Sequence, residues 1–87
     1  MKIKKGFVLR VVGGENVVVP VGEMSKSFRG MITLNDTGAF LWNFFRQERT
    51  KEEAVDALLA EYEVAKEIAE KDVSFFIKTL FDNGFFE

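Results

Sequence analysis

The chain has 87 residues and a formal net charge of −2; 47% of the residues are apolar, 30% are charged, ten are phenylalanine, and neither cysteine nor histidine occurs. Those absences exclude Ser-His-Asp and Cys-His nucleophile pairs, zinc fingers, CxxC redox sites and an imidazole general base. The length allows one small hydrophobic core but too little chain to enclose a substrate as well, so a single non-enzymatic domain over residues 1–87 with no cofactor is expected.

Phe7–Val12 and Val17–Val21 are β-branched runs on either side of Gly13-Gly14-Glu15-Asn16, where Gly and Asn accept positive φ cheaply; the pattern predicts a β-hairpin. Pro20 cannot donate to a ladder, which places it near the end of the second strand or at a bulge. After a polar loop at Gly22–Ser27, the stretch Phe28–Leu34 sets Phe28, Ile32 and Leu34 on one face and Arg29, Met31 and Thr33 on the other. That is the period of a half-buried strand, here the edge of a meander.

Helices follow. Asn35 or Asp36 can cap a first helix running to about Arg46; with Ala39, Phe40, Leu41, Trp42, Phe44 and Phe45 it is apolar nearly all round and must be buried on several sides. Thr50-Lys51-Glu52-Glu53 has the capping-box pattern and opens a second helix, whose stripe of Ala54, Val55, Leu58, Leu59 and Tyr62 turns inward. A break at Glu63–Ala65 precedes a third helix, about Lys66–Asn83, closed by Gly84 with Phe85 and Phe86 folding back. At about 100° per residue, Ala69, Val73, Phe76, Ile77 and Leu80 of this helix share the core face and Phe75 points almost the opposite way. Ile68 lies near Phe75 in angle, with Lys71, Asp72, Lys78 and Thr79 flanking it. This smaller apolar strip reads either as a binding surface or as surface hydrophobes packed beneath the amino-terminal segment. The predicted fold is α+β: a three-stranded antiparallel sheet followed by three helices.

Several of these segments carry a family resemblance. They are Leu34-Asn35-Asp36-Thr37-Gly38-Ala39-Phe40-Leu41-Trp42, Arg49-Thr50-Lys51-Glu52-Glu53-Ala54, Tyr62-Glu63-Val64, Asp72-Val73-Ser74-Phe75-Phe76-Ile77, Leu80 and Asn83-Gly84-Phe85-Phe86. In order and spacing, from Met31 to the carboxyl end, the chain resembles the pyrroloquinoline quinone biosynthesis protein D (PqqD-like) family. The residues before Met31 match only in type, as strands, and Gln47-Glu48 stands at the first helix–helix turn where the family commonly places Asp-Gly. The resemblance implies a fold similar to a winged helix-turn-helix. It also implies a recognition element for ribosomally made, post-translationally modified peptides, one that holds the precursor's leader and presents its core to a modifying enzyme, commonly a radical S-adenosylmethionine (radical SAM) protein. In that family the leader lies along the third strand in a cleft walled by the third helix. Carried onto this chain, Arg29, Gly30, Met31 and Thr33 would stand at the edge, and Phe75 with Lys71, Asp72, Lys78 and Thr79 would form the wall.

An open edge offers unpaired N–H and C=O groups, so an extended peptide can gain ladder hydrogen bonds of ~1 kcal/mol net each while adjacent pockets read alternate side chains. Gly30 would permit close backbone approach or mark a bulge, and Arg29 can blunt the edge against aggregation. Lys71 and Lys78, one turn either side of Phe75, would attract acidic leader residues.

Charge is uneven along the chain. Residues 1–35 carry six Lys/Arg against two acids, and residues 36–87 six against twelve. The asymmetry can steer a partner, but no dense Lys/Arg cluster of the kind DNA phosphates require is present. A winged-helix DNA-binding regulator and a dimerisation module are the alternative readings; the net acidic helices count against nucleic acid, while an open edge and an exposed Phe would suit a homodimer. No stretch reaches the ~18 apolar residues of a membrane span and Met1–Arg10 lacks a signal-peptide core, so no membrane contact and a cytoplasmic location are expected.

Overall fold

Gly13 and Gly14 take φ of 59° and 82°, two successive positive values that make the type I′ turn whose twist suits a hairpin. They join β1 (Phe7–Val12) to β2 (Glu15–Pro20), paired antiparallel from Val12 opposite Glu15 to Phe7 opposite Pro20. The computed structural model describes residues 1–28 and 31–87. Just beyond the ladder, the Val21 N–H donates to the Gly6 carbonyl at 2.8 Å, so the bonded series runs through Gly6, Val8, Arg10 and Val12. By the same alternation Pro20 turns its nitrogen away from β1, and its missing N–H costs this ladder nothing.

After β2 the chain forms a single helical turn, α1 (Met24–Ser27), within the stretch expected to be loop. It is held locally by Ser25, whose hydroxyl donates to the Gly22 carbonyl at 2.6 Å. One turn is too short to leave a periodic signature. β3 is also shorter than expected: it covers Ile32–Leu34, pairing Ile32 with Val18 and Leu34 with Asn16, while Phe28 ends α1. The sheet order is β1-β2-β3, with β3 at one edge. Arg29 and Gly30 lie outside the described residues.

α2 (Asp36–Phe44) starts where Asn35 Oδ1 accepts the Gly38 N–H at 2.7 Å, and it ends before Arg46. α3 (Lys51–Glu61) opens with the full capping box, Glu53 N–H to Thr50 Oγ1 at 3.1 Å and Thr50 N–H to Glu53 Oε1 at 2.9 Å. α4 (Lys66–Asp82) closes at Gly84, φ 77°, with the Phe85 N–H on Leu80 O and the Gly84 N–H on Phe81 O, the paired bonds of a Schellman motif.

That motif folds Phe85 and Phe86 back into the core. Trp42, Phe45, Phe85, Leu41, Leu58, Leu80, Val18 and Val73 are its largest fully buried members, and Phe45 stacks on Phe76 at 5.9 Å. The amino-terminal segment closes the same side: Ile3 is buried, bridges to Phe86 and donates its N–H to Phe45 O. The α2–α3 turn is tied down there as well, because the terminal ammonium of Met1 bonds to Glu48 and to Arg49 O, while the Arg49 guanidinium sits 4.6 Å over Phe44. No helix of the described residues is long and apolar enough to cross a membrane.

Candidate functional site

The sheet packs Leu9, Val18 and Ile32 toward the helices, and the alternation that puts Ile32 and Leu34 in bonded pairs with β2 turns the backbone of Thr33 outward. This open edge runs beside α4 and leaves a cavity of about 180 Å³ between them. Thr33 and Leu34 form its sheet side, Asn35, Thr37 and Gly38 its end at the α2 amino terminus, and Asp72, Phe75 and Thr79 its helical wall. Leu41, Phe76 and Leu80, anchored in the core, make the floor.

Two features shape the groove. Phe75 is 73% exposed while its neighbour Phe76 is 5% exposed, so one phenylalanine stands as a wall and the next holds the floor. Gly38 lets the start of α2 pack close at the end of the groove: a Cβ there would come within 3.2 Å of both Leu34 Cβ and Asn35 Oδ1. The amino-terminal segment does not cover Phe75; it bonds instead along Phe45 and the chain end.

Of the residues expected at the site, Thr33, Asp72, Phe75 and Thr79 line the cavity together. Met31, 68% exposed, stands just before β3, next to the edge. Lys71 and Lys78 are exposed on α4 and do not line the cavity. Lys78 is engaged along its own helix with Asp82 at 2.9 Å, and the hydrogen bond and charge of that carboxylate hold its pKa above the ordinary lysine range. Arg29 and Gly30 fall outside the described residues. Sequence reasoning missed Leu34, Asn35, Thr37 and Gly38 as lining, and read Leu41, Phe76 and Leu80 as core alone. A usable signal was there: Gly38 sits in the first turn of a helix, where glycine has no turn to make, and such a residue points to close approach by a neighbour.

A volume of about 180 Å³ falls short of the roughly 300–1,000 Å³ of small-molecule pockets, but suits a large side chain presented by an extended backbone. Among the described residues no charged side chain is buried, and no group of three or more acids is placed to hold a metal ion.

The model of the family described as coenzyme PQQ synthesis protein D (PqqD) matches residues 15–85. The chain belongs to the PqqD family. The match reaches back through β2, further than the resemblance that begins at Met31. Among solved structures, "TbiB1 in Complex with the TbiA(beta) Leader Peptide" is similar at 26% identity and a TM-score of 0.74, over 100% of this chain and 95% of that one. "Lasso peptide synthetase B1 complexed with the leader peptide" shares the fold at 21% identity and a TM-score of 0.72, over 97% of this chain and 93% of that one. Among curated proteins nothing matches the chain.

Proposed function

We propose that this PqqD family member is a non-catalytic recognition element that binds the leader of a ribosomally made precursor peptide by strand addition and presents the peptide to a modifying enzyme. The observation that carries the reading is the open β3 edge beside a groove walled by an uncovered Phe75. Support comes from the structural neighbour at 26% identity, whose structure holds a leader peptide. The leader lies antiparallel to β3 and exchanges hydrogen bonds with the Thr33 N–H and C=O. Alternate leader side chains then fall into the cavity, where an apolar one contacts Phe75 above and Leu41 and Leu80 below. The family resemblance supports a radical SAM protein as the enzyme that receives the peptide. A homodimer using the same edge would compete with the leader.

The test is titration of isotope-labelled protein with the precursor's leader. Amide shifts at Thr33, Gly38, Phe75 and Thr79, with new exchange protection at Thr33, are expected. Shifts confined to α3, with Thr33 and Phe75 unmoved, would refute the reading.

A further inference from the structure

The sheet has a second open edge, and its surroundings differ electrically from those of the first. β1 pairs with β2 alone, and the alternation that turns Val8, Arg10 and Val12 toward β2 leaves the N–H and C=O groups of Phe7, Leu9 and Val11 on the free side. At the foot of this edge lies a cavity of about 300 Å³, walled by Lys2, Lys4, Lys5, Phe7, Trp42 and Arg46. No acid lines it. Lys2 reaches Glu87 at 3.9 Å, whereas Lys4, Lys5 and Arg46 form no ion pair among the described residues. Arg10 extends the positive charge along the strand, exposed at mid-length. A cluster of like charges around a concavity repels itself until a counter-charge arrives, and it raises the local concentration of anionic partners.

We infer that the β1 edge and its basic foot form a docking site for an acidic, extended segment of a partner protein. The segment adds to β1 as a strand, bonding to Phe7, Leu9 and Val11, and sets its carboxylates against Lys4, Lys5 and Arg46. The strands of a second copy do not supply such a segment. Its acids lie mostly on α3 and α4, β1 itself carries Arg10 and no acid, and the described strands hold one acid, Glu15. Among the described residues Asp72 is the one charged side chain that lines the β3 groove, so that edge lacks the basic foot of β1. The two edges therefore present different surroundings to an added strand. The inference stands apart from the leader reading, because separate amides report each edge.

The experiment titrates isotope-labelled protein with a short synthetic peptide of alternating Glu and Thr, and with a Lys-Thr peptide of the same length. The acidic peptide is expected to shift and protect the amides of Phe7, Leu9 and Val11 while Thr33 and Phe75 stay in place, with binding that weakens as salt is raised. A Lys4→Glu/Lys5→Glu variant should lose about tenfold or more in affinity, and Arg46→Glu alone should lose a smaller factor, both with unchanged melting temperatures. Three outcomes overturn the proposal. They are equal binding of the Lys-Thr peptide, shifts confined to Thr33 and Phe75, and absence of peptide binding combined with self-association of the Lys4→Glu/Lys5→Glu variant. The last would show that the cations only guard the edge against aggregation.

Discussion

Two faces of α4 carry the same kinds of residue and meet opposite fates. Ala69, Val73, Phe76 and Leu80 are all buried, and Phe76 lies flat on Phe45. Phe75 and Ile68, on the other face, remain 73% and 49% exposed. One step along a helix turns a side chain through about 100°, so adjacent phenylalanines reach different environments without any change of backbone. The face that holds the domain together and the face that would hold a peptide are thus built from neighbouring codons yet are physically separable. The cavity shows where they meet, since Phe76 is its floor and Phe75 its wall.

The severest way to break that separation is to truncate the inner face. Phe76→Ala should lose ~3–5 kcal/mol of fold stability, a large share of what a domain this small possesses, and should fail to hold a leader because the groove loses its floor. Thermal melts show the first effect and calorimetric titration the second. Phe75→Ala should do the converse: melting nearly unchanged, and ~2 kcal/mol of leader binding removed, roughly thirtyfold in Kd. If Phe75→Ala unfolded the domain while Phe76→Ala was harmless, the assignment of the two faces would be reversed.

A control away from both faces is Thr50→Ala. It removes one half of the capping box on α3 and should lower stability by ~1 kcal/mol with leader affinity intact. Loss of affinity in the folded variant would mean that the site reaches α3. The smallest expected effect is electrostatic. Lys78 has its pKa raised by Asp82, so whatever stability this exposed pair contributes is present below the unfolded-state lysine pKa and fades as pH rises through the higher folded value. Titration of the Lys78 ammonium by NMR should show the elevated value, and Asp82→Asn should return it to the ordinary lysine range.

Much of this was legible in the sequence because local chemistry decided it. The hairpin, the α2 cap, the Thr50–Glu53 box and the Gly84 terminus each depend on residues close together in the chain and each is present, although the turn is only Gly13-Gly14, with Glu15 and Asn16, expected in it, already paired in β2, and of Asn35 and Asp36 it is Asn35 that caps. The helical phase of Phe75 and Phe76 is likewise a matter of arithmetic. What stayed hidden depends on residues far apart. That Ile3 would bridge to Phe86, and that Leu34, Gly38 and Leu41 would share a cavity with Thr79, follows only once the sheet has been laid on the helices. The valines of the hairpin are a similar case. Val17 is buried although it lies outside the core, on the face of the sheet that holds Arg10 and Thr33, and a run of consecutive valines does not say which of them will face the helices.

The bridge between Ile3 and Phe86 has a consequence for how this unit can be joined to others. The Glu87 N–H donates to Lys2 O at 2.8 Å, so the first and last residues of the sequence leave the fold side by side. A polypeptide entering through one and departing through the other is not stretched, so the module can be grafted into a surface loop of a host protein at the loss of the Met1 ammonium's charge beside Glu48. The same adjacency allows the order of its elements to be rewired. A short linker across residues 87 and 1, with new ends opened at Gly13-Gly14, would turn the hairpin into two unconnected strands and leave the β3 groove as it is.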